Sequence, residues 1–305
     1  MRTLVVGAGA VGGYFGGRLL EAGRDVTFLA RPARAAALAE TGLRIRSPHG
    51  DATLLTPPAV LAGNLHETFD LVLLSCKAFD LEGAIASFAP AVGPQTAILP
   101  LLNGMRHLDS LDQRFGTTRV LGGQCQIAST LTEAGEIVHL SEMQSLTFGE
   151  RDGAISERVK AIESLMSGAI FESRASTGIL LEMWEKWVFL ASLAGSTCLM
   201  RATIGEICQS PGGADFVLGL LAECGSISAA EGYPVREAFL TRTRGLLTAT
   251  GSPLTASMFR DMERNAPIEA DHILGDLLQR RGLRPQVSLL DVAYTHLKAY
   301  ELRRR

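Results

Sequence analysis

Three polar side chains occupy positions where an enzyme could use them. Lys77 follows the apolar run Leu71–Ser75, and Asn103 follows the next such run, Ala97–Leu101. Both runs are typical of buried parallel strands, and ligands bind such sheets at the carboxyl ends of the strands. Lys186 begins an uncharged helical stretch, where its ammonium group either extends to water or stays in a crevice as a proton donor whose pKa is lowered by burial. Proton donation and hydrogen bonding to a reacting group are the chemistries that these residues offer.

A glycine-rich segment lies near the N-terminus, where Gly7-Ala8-Gly9-Ala10-Val11-Gly12 forms a GxGxxG motif. It follows a predicted strand, Thr3–Val6, and opens a predicted helix, Ala10–Ala22, which is the context in which this motif binds a dinucleotide. Gly7 would allow the tight turn, Gly9 would leave room for a pyrophosphate, and Gly12 would let the helix approach the sheet. The motif therefore predicts that these six residues bind a dinucleotide at a helix N-terminus, the alternative being a turn that binds no ligand.

The end of the second predicted strand, Val26–Leu29, bears on the choice of cofactor. NAD-binding folds place an acidic residue there, which hydrogen-bonds the ribose hydroxyls. This chain has Arg31 instead, with Arg34 one helical step further on, and a guanidinium group suits the 2′-phosphate of NADP. We therefore expect NADP as the cofactor; the alternative is that Arg31 ends a surface loop before Pro32.

Short apolar strands alternate with helical stretches through the first half of the chain. This pattern predicts an α/β fold with a Rossmann-type, doubly wound parallel sheet. Shorter alternating runs within 43–61 and 136–148 predict antiparallel additions to it. The remaining predicted elements are strands at Leu71–Ser75, Ala97–Leu101 and Val120–Gly123, and helices at Ala33–Thr41 and Leu81–Phe88.

Strand-like segments stop after about residue 171, and long helical windows replace them. We therefore predict two domains: residues 1–172 as an NADP-binding Rossmann-like domain, and residues 173–305 as an all-helical domain for substrate binding and catalysis. The predicted helices of the second domain are Leu180–Leu199, Ala214–Glu231, Val235–Thr248, Pro267–Arg281 and Ser288–Tyr300.

Composition excludes several classes of protein. The 305 residues are 47% hydrophobic and carry a net charge of -3, which is ordinary for a globular protein and gives no excess of positive charge for nucleic acid. The longest uncharged stretch, Gly83–Met105, contains three prolines and does not predict a membrane-spanning helix.

The five cysteines lack CxxC spacing, which favours free thiols in a cytoplasmic protein. No cluster of His, Cys or carboxylate residues has the spacing of metal ligands, so we expect no metal.

Several segments together resemble one known family. They are GAGAVGGYFG at 7–16, Arg31, Cys76-Lys77-Ala78, Leu102-Asn103-Gly104-Met105, Trp184-Glu185-Lys186, and Ser257-Met258-Phe259-Arg260-Asp261 with Glu269. The chain is similar over nearly its whole length to the ketopantoate (2-dehydropantoate) 2-reductases. The resemblance implies that the protein reduces a 2-oxo acid to the 2-hydroxy acid with NADPH, as in pantothenate and coenzyme A biosynthesis.

The resemblance also implies a role for individual residues. Lys186 would protonate the developing alkoxide as general acid, and Glu269 would orient its ammonium group and keep it charged. Asn103 would hydrogen-bond near the reacting carbonyl and the nicotinamide. Ser257 would bind the substrate carboxylate, and Lys77 would line the site near the cofactor. Without the resemblance, Ser257 would be interpreted as a helix N-cap and Glu269 as a first-turn acid.

Two positions depart from the family pattern. Relatives that act on ketopantoate carry asparagines four and eight residues after the catalytic lysine, where this chain has Leu190 and Ala194. These spacings place both residues on the helix face of Lys186. Each lost buried hydrogen bond would weaken the binding of a hydroxyl group by about 1–3 kcal/mol. We therefore expect Leu190 and Ala194 to bind a 2-oxo acid that is less polar than ketopantoate.

Two other functions are compatible with a Rossmann half followed by a helical half. An opine-type dehydrogenase would need a His-Asp pair, and none of the six histidines lies in such a motif. A non-catalytic NADP sensor would keep the nucleotide site, although the presence of Lys186 and Glu269 argues against it. The apolar helical half further suggests a homodimer.

Overall fold

The computed structural model describes residues 1–282 and 286–304. The chain divides into two compact units, one formed by Met1–Leu102 with His107–Ile179 and the other by Asn103–Arg106 with Leu180–Arg305. The first unit is α/β and the second is helical, so the predicted fold class is confirmed. The proposed domain of residues 173–305 includes 283–285 and 305, which lie outside the described residues, and the functional division at residue 172 stays a prediction.

The first unit alternates strands and helices along its length. Its strands are β1 (Thr3–Val6), β2 (Val26–Leu29), β3 (Leu43–Arg46), β4 (Ala52–Leu54), β5 (Ala59–Val60), β6 (Phe69–Leu74), β7 (Val92–Pro100), β8 (Gly122–Leu131), β9 (Ile137–Gly149) and β10 (Glu172–Ala175). Its helices are α1 (Ala10–Glu21), α2 (Pro32–Thr41), α3 (Leu81–Phe88), α4 (Arg106–Phe115) and α5 (Glu157–Met166), of which α4 begins on the last residue of the short segment assigned to the second unit.

A parallel sheet with strand order β5-β2-β1-β6-β7 forms the centre of the first unit. The side chains of β1 and the middle of β6 are almost fully buried, because helices cover both faces of a parallel sheet. The chain passes from β1 to β2 on one side and returns to β6 on the other. The order of connections therefore reverses between β1 and β6, which is where open α/β sheets bind their ligands.

A second sheet contains β10-β9-β3-β4, with β8 paired to β9. The expected antiparallel pairs are present as β3 with β4 and β8 with β9, whereas β9 pairs in parallel with both β3 and β10. The prediction of a strand at Val120–Gly123 was wrong in its bounds. Val120 makes only an isolated bridge to Ile98, and β8 begins at Gly122 because the two glycines let its backbone pack closely against Ile179 and Leu99.

The second unit is built from helices. They are α6 (Ile179–Met200, which starts on the last residue of the first unit), α7 (Ile204–Gln209), α8 (Gly213–Ala230), α9 (Glu237–Leu247), α10 (Ser257–Glu263), α11 (Asp276–Arg281) and α12 (Leu289–Arg304). The predicted helix at Pro267–Arg281 starts later than expected. Helical backbone begins at Ala270 and passes through a π-helical turn, Asp271–Gly275, before α11, because proline cannot continue a preceding helix and Asn265 is left-handed.

Helix α8 is long and apolar enough to cross a membrane by length and composition alone, and it is the one such helix among the described residues. Its Val217, Leu221, Cys224 and Ile227 are buried within the second unit. In all, 39% of this helix is buried, and a helix in the core of a protein passes the same test of length and composition.

Candidate active site

The glycine-rich turn joins β1 to α1 and leaves its backbone exposed to a ligand. Gly7 has a φ of 98°, a left-handed conformation that favours glycine, and its N–H donates to the Leu29 carbonyl. A side chain on Gly9 would meet nothing within 4 Å. Gly9 is also the N-cap of α1, and α1 has no acidic residue in its first turn. The turn thus offers open space beside the unpaired N–H groups of a helix N-terminus, which suits the pyrophosphate of a dinucleotide.

Two further glycines bring α1 against the sheet. A Cβ on Gly12 would overlap the Ser75 hydroxyl and the Gly7 carbonyl oxygen, and a Cβ on Gly16 would lie 2.7 Å from the Phe28 ring. These separations are too short for any larger residue. The structure thus shows the turn at Gly7, open space at Gly9 and close packing at Gly12, whereas the binding of a pyrophosphate at Gly9 stays a prediction.

Arg31 lies at the end of β2 as the N-cap of α2, with 74% of its side chain exposed. Its Nη2 pairs with the Asp80 carboxylate at 2.6 Å. Asp80 comes from the turn that follows Lys77, and sequence analysis did not identify it as a partner. A 2′-phosphate that binds Arg31 would approach a guanidinium group that already has one anionic neighbour.

Arg34 lies one turn along α2, but it points to main-chain groups rather than to solvent. Its Nε donates to the Ala8 carbonyl oxygen at 2.8 Å, and its Nη1 donates to the Gly135 carbonyl oxygen at 2.9 Å. Burial lowers the pKa of this guanidinium group from its ordinary value. Our expectation that Arg34 belongs with Arg31 at a phosphate did not include these two carbonyl partners.

Lys77 and Asn103 follow two neighbouring strands. Strands β6 and β7 are parallel and in register up to Leu74 and Pro100, so the chain leaves both at the same edge of the sheet. Lys77 is exposed at that edge, where its carbonyl group begins a short 3-10 turn. The two polar residues thus follow adjacent carboxyl ends, as the sequence predicted.

In the second unit, Asn103 and Glu269 both interact with a histidine, His272, that no sequence motif indicated. His272 is buried and shares a hydrogen bond with the backbone of Asn103. Burial lowers the pKa of His272, as do the charges of Arg106 and Arg280, whereas the charge of Glu269 and the Asn103 hydrogen bond raise it. His272 is three residues beyond Glu269, a helical spacing that could have pointed to it.

The loop after β7 and the π-helical turn pack tightly against each other. Gly104 has a φ of 77°, and a Cβ built there would lie 3.0 Å from the His272 carbonyl oxygen. Only glycine fits this position without displacement. Gly104 thus allows Asn103 to approach the segment that carries Glu269 and His272.

Lys186 is half-buried on α6, and its neighbour Trp187 ties α6 to the π-helical turn. The buried Trp187 donates its Nε1–H to the Ile273 carbonyl oxygen at 2.9 Å. A π-helical turn alters the regular ladder of backbone hydrogen bonds and is common at functional sites. The preceding residue, Glu185, is only 2% exposed and binds the guanidinium group and backbone N–H of Arg236. Lys186 therefore lies on a helix that is fixed on either side of it.

Ser257 is the first residue of α10, and Ala256 occupies the N-cap position. The interpretation of Ser257 as the N-cap was therefore wrong. Its side chain is exposed and its hydroxyl group has no hydrogen-bond partner within the described ranges. The Ala256 N–H donates to Thr197 Oγ1 of α6 at 3.3 Å. Because Thr197 lies three turns beyond Lys186 on the same face, this bond ties Ser257 to the helix that carries the lysine.

Leu190 and Ala194 occupy the turns of α6 between Lys186 and Thr197. Leu190 is half-buried and Ala194 is buried. Neither side chain can donate or accept a hydrogen bond. This face of α6 therefore carries one ammonium group followed by apolar surface.

Among the residues that the structure describes, no group of three or more His, Cys, Asp or Glu side chains is arranged to hold a metal ion. The groups available for chemistry are therefore hydrogen-bond donors and acceptors, an ammonium group, a carboxylate and a phosphate-sized space beside backbone N–H groups. A dinucleotide fits the last of these, because the space at Gly9 is what a Cβ would fill.

The chain matches two profiles of one family along most of its length. The profile described as "Ketopantoate reductase PanE/ApbA" matches residues 3–153, and the one described as "Ketopantoate reductase PanE/ApbA C terminal" matches residues 178–301. The chain is also 37% identical over 302 residues to the uncharacterized oxidoreductase YkpB of Bacillus subtilis (strain 168), covering 99% of each chain.

Solved structures extend this similarity. The 2-dehydropantoate 2-reductase from Geobacter metallireducens GS-15 superposes with a TM-score of 0.88 at 27% identity, over 98% of this chain and 99% of that one. A D-mandelate dehydrogenase solved with NADH and anilino(oxo)acetate has a TM-score of 0.88 at 19% identity, over 100% of this chain and 99% of its own. At that identity the second similarity concerns the fold alone.

Proposed function

The chain belongs to the ketopantoate reductase PanE/ApbA family of oxidoreductases, and on that premise we propose that it reduces a 2-oxo acid to the 2-hydroxy acid with NADPH. The observation that carries this proposal is the grouping of Asn103, Glu269 and His272 beside a helix that bears Lys186. The glycine-rich turn supplies the matching nucleotide site, with Gly7, Ala8, Gly9, Ala10, Val11 and Gly12 in contact with the pyrophosphate.

When bound, the nicotinamide supplies a hydride to the carbonyl carbon, and the carbonyl oxygen gains negative charge. Lys186 gives its proton to that oxygen as general acid, and Glu269 holds the ammonium group in place and favours its charged form. Asn103 donates a hydrogen bond near the same carbonyl. Ser257, whose hydroxyl has no protein partner among the described residues, binds the substrate carboxylate. Lys77 binds the cofactor from the edge of the sheet.

We propose NADPH rather than NADH because the end of β2 carries Arg31 where NAD-binding folds carry an acid. The Arg31–Asp80 pair holds the guanidinium group beside that strand end. Arg31→Ala should raise the Kd for NADPH and leave that for NADH nearly unchanged. Equal Kd values of the wild type for both nucleotides would reject this specificity.

We propose that the substrate is less polar than 2-dehydropantoate, because Leu190 and Ala194 offer no hydrogen bond beyond Lys186. A substrate in pantothenate biosynthesis would instead need its hydroxyl group bound. The matched pair of probes is 2-dehydropantoate and its analogue with hydrogen in place of the hydroxyl group. We expect the analogue to have the higher kcat/KM.

The test of the whole proposal is a panel of 2-oxo acids assayed with NADPH and NADH by the loss of absorbance of the reduced nicotinamide. Reduction of a 2-oxo acid without ammonia or an amino acid distinguishes this activity from that of an opine-type dehydrogenase. Binding of NADPH without turnover on any member of the panel would favour the NADP sensor.

We further propose a cytoplasmic homodimer. None of the five cysteines, all within the described residues, forms a disulfide, which is expected in a reducing compartment. Leu246 and Val292 leave apolar surface exposed on the second unit. Light scattering of the purified protein should give twice the mass of the chain, and a monomeric mass would reject the dimer.

A further inference from the structure

Arg34 joins three elements of the first unit through its guanidinium group. Its Nε binds the Ala8 carbonyl oxygen in the glycine-rich turn, and its Nη1 binds the Gly135 carbonyl oxygen in the turn between β8 and β9. The side chain itself comes from the first turn of α2. One half-buried arginine thus links α2, the glycine-rich turn and the β8–β9 hairpin.

The bond to Ala8 fixes the direction of a peptide group that matters for ligand binding. The peptide between Ala8 and Gly9 is trans and planar, so its C=O and N–H groups point in opposite directions. When Arg34 holds the Ala8 oxygen, the Gly9 N–H must point to the other side. Glycine has little conformational preference of its own, so this peptide would otherwise rotate easily.

The bond to Gly135 holds the guanidinium group from the opposite side. The hairpin turn is closed by the Thr132 N–H to the Glu136 carbonyl and by the Gly135 N–H to the Thr132 carbonyl, both at 2.9 Å. Gly135 has a φ of 76°, and a Cβ there would lie 2.8 Å from Nη1 of Arg34. The second anchor is therefore a tight turn that accepts the guanidinium group because it lacks a side chain.

The remaining Nη2 atom is buried and has no hydrogen-bond partner within residues 1–282 and 286–304. Arg34 could therefore act in one of two ways: by setting the glycine-rich turn through Nε and Nη1, or by binding a 2′-phosphate through Nη2. The two roles differ in what they predict. The pyrophosphate is common to NADPH and NADH, whereas the 2′-phosphate is present in NADPH alone. The two bonds already made to the main chain favour the first role.

We propose that Arg34 is a positioning residue for the glycine-rich turn, which holds the Ala8–Gly9 peptide in the orientation that binds a pyrophosphate. It therefore strengthens binding of NADPH and NADH by the same factor, unlike Arg31, which acts on NADPH. This inference rests on the proposed binding of a nicotinamide dinucleotide at that turn.

The experiment measures Kd by the fluorescence of the reduced nicotinamide for NADPH and NADH, and by calorimetry for adenosine 2′-monophosphate, which has no pyrophosphate. Arg34→Met, Arg34→Lys and Arg31→Met are compared with wild type. Arg44→Met is the surface control, because Arg44 is an exposed residue of β3. Arg34→Met should raise the Kd values for NADPH and NADH equally, by about tenfold, because two charge-assisted hydrogen bonds are lost. Arg34→Lys keeps one donor for a carbonyl group, so its Kd values for the two nucleotides should rise less than those of Arg34→Met. Adenosine 2′-monophosphate should bind both Arg34 variants as it binds wild type.

If Arg34→Met raised the Kd for NADPH but not that for NADH, the inference would be overturned in favour of a 2′-phosphate contact. Unchanged Kd values for both nucleotides in Arg34→Met would overturn it as well. A lower melting temperature together with loss of all three ligands would show that Arg34 only supports the fold, and would also overturn it. If wild-type protein bound neither nucleotide, the proposed function itself would fail, which is distinguishable because that result does not involve a variant.

Discussion

The two units of the molecule offer different kinds of groups to a ligand. In the first unit the groups offered to a ligand are backbone atoms, exposed where glycines exclude side chains and directed by bonds such as that from Arg34 to Ala8. In the second unit they are side chains, held by bonds such as that from Trp187 to Ile273. From this difference we expect a substitution in the first unit to impair ligand binding by steric overlap. A substitution in the second unit should instead impair the reaction by removing a chemical group.

The sharpest test of the second unit is removal of its proton donor. Lys186→Ala should lower kcat by about 10²–10⁴-fold, because general acid catalysis contributes that much, while the Kd for NADPH stays close to that of wild type. Steady-state rates with the best 2-oxo acid of the panel and a nicotinamide fluorescence titration measure the two quantities. Lys160→Ala is the matched control, since Lys160 is exposed and pairs with nearby Glu157. Unchanged turnover in Lys186→Ala would reject the assignment of the acid.

The first unit should respond in the opposite way, and two of its glycines separate steric from functional effects. Gly12→Ala places a methyl group onto the Ser75 hydroxyl and the Gly7 carbonyl. It should therefore lower the free energy of unfolding by about 1–3 kcal/mol and also weaken the binding of NADPH. Gly9→Ala adds the same methyl group where the protein leaves open space.

Gly9→Ala should therefore melt like wild type and yet bind NADPH at least about tenfold more weakly, because the methyl group occupies the place of the pyrophosphate. Thermal unfolding and nucleotide titration of both variants provide the measurement. If Gly9→Ala bound NADPH normally, the open space beside Gly9 would not be the nucleotide site.

A third experiment converts the apolar face of α6 into a polar one. The double variant Leu190→Asn with Ala194→Asn restores the amides that the resemblance to ketopantoate reductases leads one to expect. Its preference for 2-dehydropantoate over the analogue that lacks the hydroxyl group should rise by about 30–150-fold, since two buried hydrogen bonds of about 1–1.5 kcal/mol each contribute about 2–3 kcal/mol.

The readout for this variant is the ratio of kcat/KM values for the two substrates, which cancels any general loss of activity. Leu190→Met, which keeps the position apolar, is the control and should leave the ratio near that of wild type. A ratio that does not change in the double variant would show that these two positions do not contact the substrate.

The comparison of the two units also explains what the sequence alone could predict. The bounds of β1, β2 and α3 match the predictions, because apolar runs and glycine turns are local signals in the chain. The turn at Gly7 and the close packing at Gly12 are present for the same reason, while the role of Gly9 toward a pyrophosphate stays a prediction. In contrast, the partners Asp80 for Arg31 and Ala8 for Arg34 are set by tertiary packing, and no local pattern indicates them.

The second unit was harder to predict because its candidate site is assembled from distant segments. The π-helical turn was predicted as an ordinary helix, since its extra residue leaves no mark on hydrophobic periodicity. The roles of Lys186, Glu269 and Ser257 came from the family resemblance and remain predictions. No sequence motif indicates His272, although its position one helical step after Glu269 puts it against Asn103.

His272 gives the finest test of the difference between the units, because its ionisation should change stability without changing the nucleotide site. Its pKa is lowered from the ordinary value of 6.5, chiefly by burial, so the unfolded chain binds a proton more readily than the folded one. Above the pKa that His272 has in the unfolded chain, the histidine is neutral in both states and the free energy of unfolding has its full value. As the pH falls below that pKa, the unfolded chain takes up the proton first and the free energy of unfolding decreases. Ion pairs of carboxylates titrate at lower pH, so they contribute little between about pH 7.5 and about pH 5.5.

We therefore expect the melting temperature of wild type to fall further over that range than the melting temperature of His272→Gln, which cannot be protonated but can still donate a hydrogen bond to Asn103. His296 is another histidine whose pKa burial lowers, and the melting temperatures of His296→Gln over the same pH range measure its contribution separately. Because His272→Gln keeps the donor and His272→Phe does not, the phenylalanine variant should lose more turnover at neutral pH. Equal pH dependence in wild type and His272→Gln would show that the fold does not hold the histidine neutral.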